Sequence, residues 1–400
     1  IKKMINIAGQ LTHFANPAAK PNTAYSQAQR DILSVDKAQK AIAEIKTWPG
    51  YAATPLHSLG AIATHSNLAN VWYKDESQRF GLKSFKALGG AYAVLCQLQK
   101  VIETALNKKA SIQDLLDNKY QAVLANTVIS CATDGNHGRS VAWGAQLFGV
   151  RCVIYIHKDV SVGREQAMQA FGAQVNRISG NYDASVRQAD QDAKEFGRLI
   201  VSDTSYAGYL EVPKDVALGY TVMLAEVVEQ LAGEIPTHIF IQGGVGGLAS
   251  AVAGYFWDLW GEKRPRLIVV EPIEANCLQR SAMAGKVQHV EGDLQTLMAG
   301  LACGEVSLLA WEILANGADD FMTLSEEAVA PTMRILANGT AGECDIEAGE
   351  SAVAGLAAAI IASQSGDDRT ALGLNEHSQI LVFGTEGATD PELYQQLING

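Results

Sequence analysis

Cysteine and charge are both scarce in this sequence, and each scarcity excludes a class of protein. Six cysteines in 400 residues, none of them in a CxxC pair, exclude a disulfide-stapled scaffold and give a zinc site no support. Charged residues make up only 18% of the chain, and the net charge of −12 opposes binding to a polyanion. We therefore expect reduced thiols, a cytoplasmic location, and no bound metal ion or nucleic acid.

Long apolar runs are also missing. The longest, from Val353 to Ala362, is about half of the roughly 20 residues that a membrane-spanning helix needs. The first residues carry charge and show no cleavage pattern, so we predict no signal peptide and no membrane association.

Apolar residues as a whole are abundant, at 48% of the chain, and the length favours two or three domains. Four prolines before residue 70 predict an irregular arm with one helix near 26–47. Beyond it, β-branched runs alternate with helical segments at the spacing of parallel βαβ units. The predicted strands are 127–130, 152–156, 174–178, 199–202, 238–242, 267–271 and 380–383, and the predicted helices are 139–148, 164–171, 184–196, 215–231 and 248–260. This order predicts an α/β protein of two doubly wound parallel-sheet lobes with the active site in the cleft.

Three loops in this pattern carry chemistry, and the first contains Lys86. It follows Ser84 and Phe85 and precedes Gly89 and Gly90. Apolar surroundings disfavour the ammonium form of a lysine, and a neutral amine can form a Schiff base. The alternative is a solvated lysine at the start of a helix. The choice between these two interpretations depends on the other two loops.

The second loop runs from Thr133 through Asp134, Gly135 and Asn136 to His137, between a predicted strand and a predicted helix. Its glycines, hydroxyl, amide and helix N-terminus suit an anion such as a substrate carboxylate. Asp134 is either an acid for proton transfer or an N-cap, and His137 is either structural or functional.

The third loop is rich in glycine and joins a predicted strand to a helix, which is typical of a phosphate site. It consists of Gly243, Gly244, Val245, Gly246 and Gly247. The same loop also matches a dinucleotide fingerprint, with Glu271 near the position of the ribose-binding acid. A dinucleotide leaves the first two loops without a role, whereas pyridoxal 5'-phosphate uses all three. Thr385, after the last predicted strand, is then the candidate partner of the ring nitrogen.

The three loops, in this order, resemble those of the fold-type II pyridoxal-phosphate enzymes over about residues 70 to 390. The resemblance implies a large cofactor-binding domain over 1–89 and 212–400, a small domain over 90–211, and a homodimer. The site residues that it implies are Lys86 as the Schiff-base lysine, Phe85 against the ring, Asn136 at the ring hydroxyl, Thr133, Gly135 and His137 at the carboxylate, residues 243–247 at the phosphate, and Thr385 at the ring nitrogen.

Within that group, the motifs look most like those of the diaminopropionate ammonia-lyase family. Dehydratases usually have Gly, Arg and Ser where Lys83, Leu88 and Asp134 stand, and the ammonia-lyases usually have Ser where Gly384 stands. The resemblance implies elimination of D- and L-2,3-diaminopropionate to pyruvate and two ammonia. The alternatives are a serine/threonine dehydratase or β-replacement enzyme and, more remotely, a nicotinamide-dependent dehydrogenase.

Because Asp134 is an acid in the loop that would bind the substrate carboxylate, it can act as a second base besides Lys86, on the opposite face of the substrate Cα. Lys86 would serve the L enantiomer and Asp134 the D enantiomer. Asp203, at the end of the predicted strand 199–202, is the candidate group for the β-ammonium, with a strand-end cap as the alternative. Pairing of Cys277 with Cys303 is left open.

Overall fold

The chain forms two units, and each is built on its own β-sheet. The computed structural model describes Ile5 and residues 7–133, 135–342 and 344–400. The first unit comprises residues 1–36, 52–84 and 223–400, and the second comprises 37–51 and 85–222. The division into a large cofactor-binding domain over 1–89 and 212–400 and a small domain over 90–211 stays a prediction.

In the described part of the chain, strands and helices alternate as the βαβ pattern predicts. The strands are β1 (Leu11–Ala15), β2 (Leu56–Ser58), β3 (Asn70–Asp75), β4 (Val128–Ala132), β5 (Arg151–Ile156), β6 (Gln174–Arg177), β7 (Leu199–Ile200), β8 (His238–Gln242), β9 (Arg266–Pro272), β10 (Asp320–Leu324) and β11 (Gln379–Gly384). The helices are α1 (Gln27–Ile32), α2 (Val35–Ile45), α3 (Gly60–His65), α4 (Lys86–Leu106), α5 (Ile112–Leu116), α6 (Gln121–Leu124), α7 (Asn136–Leu147), α8 (Val162–Gln169), α9 (Tyr182–Phe196), α10 (Glu211–Leu231), α11 (Gly247–Trp260), α12 (Cys277–Ala284), α13 (Leu308–Gly317), α14 (Val329–Ala337), α15 (Ala354–Gln364), α16 (Gly366–Leu372) and α17 (Pro391–Asn399).

The sheet of the first unit has the strand order β1-β10-β9-β8-β11-β3-β2. Its inner strands pair in parallel, and the outer pairs β1–β10 and β2–β3 are antiparallel. Every residue of β8 is buried, as expected for a parallel strand that is covered on both faces. The apolar run that begins at Val353 is the buried helix α15 of this unit and not a span. Among the described residues, none of the helices has both the length and the apolar character that crossing a bilayer demands.

The sheet of the second unit has the strand order β6-β5-β4-β7, and all of its pairs are parallel. These strands and the helices between them lie close to their predicted positions, which confirms the α/β fold class. The prediction of one helix near 26–47 is wrong, because Leu33 is extended and divides that segment into α1 and α2. The Asp258 carboxylate stabilises the break by accepting hydrogen bonds from Arg30 Nε and Val35 N, both at 2.8 Å.

Four strands were not predicted from the sequence, namely β1, β2, β3 and β10, and two of them, β3 and β10, carry charged residues into the interior. The Lys74 side chain of β3 is fully buried, and its Nζ donates to Glu226 Oε2 at 2.7 Å. The Asp320 carboxylate of β10 is equally buried and accepts from Arg266 and His13. Charges are tolerated in a sheet when a partner reaches them, and those partners are distant in the sequence.

Glu226 is the centre of a buried ionic network that holds the segment after β3. Arg79 donates to both of its oxygens at 2.8 Å and also to Glu76. The Thr54 amide also donates to Glu226 Oε2, whereas the Thr54 hydroxyl lies closer to Glu76 Oε1. Burial alone would raise the pKa of Glu226, but Arg79 and then Lys74 outweigh it and lower the pKa to about 2.

Glu226→Gln should therefore destabilise the protein strongly near neutral pH. Removing one partner leaves buried positive charge uncompensated, which typically costs about 3–5 kcal/mol in the free energy of unfolding. A carboxyl whose pKa falls on folding stabilises above its ordinary pKa of 4.5 and loses that effect as the pH falls towards about 2. In urea unfolding, the difference in the free energy of unfolding between wild type and variant should decrease towards zero as the pH falls from about 5 to 2. Asp190→Asn, which breaks the exposed pair with Lys194, is the matched control and should have little effect at any pH. A gap that stays constant with pH would contradict this account.

Candidate active site

Lys86 begins helix α4, where the helix dipole disfavours a positive charge. Asp203 supplies the compensating charge, because its Oδ2 accepts a hydrogen bond from Lys86 Nζ at 2.5 Å. Burial would raise the pKa of Asp203, but Lys86 and then His137 lower it well below its usual range. The sequence therefore places an ammonium against an ionised carboxylate in a largely enclosed position, with side chains 24% and 17% exposed.

Two aromatic rings lie beside the Lys86 amine. The Nζ is 5.5 Å from the ring centroid of Phe85 and 6.0 Å from that of Tyr220. The two rings are 4.7 Å apart, and Tyr220 is a neutral phenol because burial raises its pKa to about 12. Gly89 makes this arrangement possible, since a Cβ there would lie 2.4 Å from Tyr220 Cε1. Nothing in the local sequence around Tyr220 signals this position.

The loop after β4 brings His137 to the same carboxylate. His137 is buried, its Nε2 donates to the Val201 carbonyl at 2.8 Å, and its Nδ1 is 3.8 Å from Asp203 Oδ2. Thr133 Oγ1 accepts from the Gly135 and Gly138 amides at 3.0 Å, which fixes the loop ahead of α7.

Asn136 is the first residue of α7, as expected for a residue at an anion-binding helix terminus. The helix therefore begins three residues before its predicted start at residue 139, and carboxylate binding by Thr133, Gly135 and His137 stays a prediction. Asp134 lies outside the described residues.

In the first unit, the turn of residues 243–247 joins β8 to α11 and needs glycine for two different reasons. Gly244 and Gly246 have φ values of 68° and 99°, which side chains rarely adopt. Gly243 has no such backbone requirement, but a Cβ there would lie 2.6 Å from Glu271 Cγ. The first amides of α11 have no acceptor within the helix and are free to bind a phosphate.

Glu271 is not available to a ribose. It is fully buried, its Oε1 accepts from the Leu278 amide and its Oε2 from the Gln279 amide, both at 2.8 Å. Burial raises its pKa to about 8, against the opposing effect of these amides. Glu271 therefore caps the start of α12 and lies behind the glycine turn. Cys277 and Cys303 are free thiols, and Cys277 Sγ donates to the Gly244 carbonyl at 3.5 Å.

Thr385 follows β11 and is next to the strand that leads into the glycine turn. Gln242, the last residue of β8, donates to the Phe383 and Ala352 carbonyls at 2.8 and 2.9 Å, and its Nε2 lies 3.4 Å from Thr385 Oγ1. Tyr73 explains why Gly384 departs from the serine of the ammonia-lyases, because a Cβ at Gly384 would lie 2.1 Å from its hydroxyl. The Tyr73 ring thus takes the space that a serine side chain would need.

Comparison with known proteins assigns the family. Residues 47–376 match the family described as pyridoxal-phosphate dependent enzymes. The chain belongs to the pyridoxal-phosphate dependent enzyme family. The nicotinamide-dependent dehydrogenase alternative is therefore wrong, in agreement with the engaged oxygens of Glu271.

Several members of this family are similar over nearly the whole chain. The diaminopropionate ammonia-lyase of Salmonella typhimurium is 36% identical over 376 residues, covering 92% of this chain and 93% of that protein. The enzyme of Escherichia coli K12 with the same name is 39% identical over 357 residues, covering 87% and 88%. A crystal structure of the Escherichia coli enzyme in complex with D-serine has a TM-score of 0.89 and 34% identity, covering 98% of this chain and 97% of that one.

The described residues fit pyridoxal phosphate, each unit by itself. In the first unit, the glycine turn offers unpaired helix amides to a phosphate and Thr385 follows a neighbouring strand. In the second, Lys86 offers an amine beside the Phe85 ring. The individual roles of these residues stay predictions.

Lys86 should be the residue that holds the cofactor covalently. Borohydride treatment of the cofactor-loaded protein, followed by peptide mapping, should find the added mass on Lys86. Lys86→Ala should carry no covalent label, whereas Lys83→Ala, which removes the amine three residues earlier in the sequence that pairs with Glu347, should be labelled as the wild type is. Label on any other lysine of the unaltered protein would refute the assignment.

Proposed function

We propose that this protein is an ammonia-lyase that converts 2,3-diaminopropionate and water to pyruvate and two ammonia. The observation that carries the proposal is the Lys86–Asp203 pair at the start of α4, in a chain that is 36% and 39% identical to two diaminopropionate ammonia-lyases. A substrate with a second ammonium group needs an anionic side chain to bind that group, in addition to the residues that bind its carboxylate.

When bound, pyridoxal phosphate supplies an electron sink that stabilises negative charge at Cα. The residues that would hold it are Lys86, Phe85, Asn136, Thr385 and the turn of residues 243–247. The chain's own part is to bind the substrate carboxylate with the loop of Thr133, Gly135 and His137. It must also hold the β-ammonium and move the Cα proton.

Asp203 is the group that would bind the β-ammonium. The Lys86 ammonium balances its negative charge. When the Lys86 amine no longer pairs with Asp203, the carboxylate would be available to accept a hydrogen bond from the β-ammonium of the substrate. His137 donates from Nε2 to the Val201 carbonyl and has its Nδ1 3.8 Å from Asp203 Oδ2.

Lys86 and Asp134 would act as bases on opposite faces of Cα. Lys86 would take the proton of the L enantiomer, and Asp134 that of the D enantiomer. D-Serine bound by the similar Escherichia coli enzyme supports a site that admits the D configuration. The proposal also includes a homodimer that works in the cytoplasm, where the free cysteines stay reduced.

Asp203→Asn should discriminate between substrates by their β substituent. Loss of a charged hydrogen-bond acceptor should lower kcat/KM for diaminopropionate by about 10–100-fold more than kcat/KM for serine, whose β-hydroxyl is neutral. Pyruvate release measures both reactions, and the ratio cancels any loss of bound cofactor. An equal loss on both substrates would mean that Asp203 only positions Lys86. A wild type that favours serine or threonine over diaminopropionate would instead make the protein a dehydratase.

Asp134→Asn should act mainly on one enantiomer. The change removes a proton acceptor with little change in volume, and missing general-base help costs about 10²–10⁴-fold in rate. We expect that loss with D-diaminopropionate and a loss of less than about tenfold with the L enantiomer, which relies on Lys86. Pyruvate release from each pure enantiomer is the measurement. Equal slowing of both would exclude the scheme with two bases.

A further inference from the structure

A second cluster of reactive side chains lies in the first unit and uses none of the residues predicted to bind cofactor or substrate. Cys344 Sγ is 3.6 Å from His57 Nδ1, and His57 Nε2 is 3.2 Å from Asp75 Oδ2. His57 belongs to β2, and Asp75 ends the neighbouring strand β3. Cys344 is exposed, whereas the side chains of His57 and Asp75 are 24% and 11% exposed. A thiol that solvent can reach is thus backed by an imidazole and a carboxylate.

The hydrogen bonds of Asp75 set the direction in which protons are shared. Asp75 Oδ1 accepts from the Ser77 amide at 2.9 Å, and Oδ2 faces His57. Burial alone would raise the pKa of Asp75, but the hydrogen bonds from His57 and Ser77 outweigh it and lower the pKa. An ionised carboxylate only accepts, so His57 Nε2 carries a proton and donates it to Asp75. When Nε2 holds the only proton of the ring, the Nδ1 lone pair faces the Cys344 thiol.

This order of thiol, base and orienting carboxylate is the arrangement that activates a cysteine nucleophile. We propose that Cys344, His57 and Asp75 form a thiol site that exchanges with low-molecular-weight disulfides. His57 Nδ1 takes the proton of Cys344, and Sγ attacks one sulfur of the disulfide. A new S–S bond forms as the old one breaks, and the departing thiolate takes the proton from His57. The products are a mixed disulfide at Cys344 and one free thiol, so no further oxidant is needed.

The charge around Cys344 selects the kind of disulfide. Asp345 follows it directly and is exposed, and the chain has a net charge of −12, whereas Glu347 is paired with Lys83 Nζ at 2.9 Å. An anionic disulfide would be repelled, whereas one with ammonium groups would be attracted. Cystamine is therefore the probe that fits the site. A metal ion is a poorer occupant, because no group of His, Cys, Asp and Glu side chains in the described ranges is arranged to bind one.

The test compares Cys344 in the holoenzyme with the same cysteine in a synthetic peptide of residues 338–350, which lacks His57 and Asp75. General-base help from His57 Nδ1, 3.6 Å from the thiol, should raise the rate of attachment at least about tenfold above that of the peptide, whose thiol has no imidazole beside it. Mass spectrometry with peptide mapping measures the rate of cystamine attachment. His57→Gln should bring the rate down to that of the peptide, and Asp75→Asn should give an intermediate value.

Two controls separate activation from simple exposure. His65→Gln, at the exposed end of α3 in the same unit, should leave the rate at the wild-type value. Cys344→Ser should form no adduct at this position and should keep its diaminopropionate turnover. A wild-type rate no higher than that of the peptide overturns the proposal, whatever the variants do. So does an unchanged rate in His57→Gln when its unfolding midpoint matches that of the wild type.

Discussion

The buried carboxylate of Glu226 is the constraint on which the ends of β3 and β11 in the first unit depend. It fixes Lys74 at the end of β3 and Arg79 in the segment that follows. Because Arg79 also binds Glu76, the backbone of that segment cannot move without exposing charge to an apolar interior. The Glu76 amide in turn donates to the Gly384 carbonyl at 2.9 Å, directly before Thr385. One carboxylate thus connects the ends of β3 and β11, and the chain reaches Lys86 only a few residues later.

A similar compensation of charge explains the state of Lys86. A lysine at a helix N-terminus faces the positive end of the dipole, and a small apolar pocket of Phe85 and Tyr220 offers it only weak cation–π contacts. The Asp203 carboxylate compensates for the unfavourable positive charge of Lys86 at this position. His137 Nδ1 lies 3.8 Å from the same carboxylate, which is beyond hydrogen-bond distance. In the proposed reaction, Asp203 would exchange the Lys86 ammonium for the β-ammonium of the substrate.

Those parts of the site that are local in sequence could be predicted from it. The loops around Lys86, Thr133 and residues 243–247 each combine a turn, a helix start and a few polar groups within a short stretch. Lys83 has a φ of 59°, in the left-handed region that favours glycine, and this conformation was not predicted from the sequence. Tyr220 could not be predicted, since it reaches Phe85 only because Gly89 and Gly219 let α4 and α10 approach closely. Strands β3 and β10 escaped prediction for a related reason, as their buried charges are neutralised by distant residues.

Glu271 and Cys344 show what position in a sequence can and cannot establish. Glu271 stands where a dinucleotide-binding protein would have its ribose ligand, yet both of its oxygens are taken by the amides of α12. Cys344 stands in no motif, and its partners His57 and Asp75 are more than 200 residues away in the chain. The antiparallel pairing of β2 with β3 at the sheet edge puts the imidazole beside the carboxylate. The reactivity of such a thiol is therefore a property of the fold and is invisible in the residues that flank it.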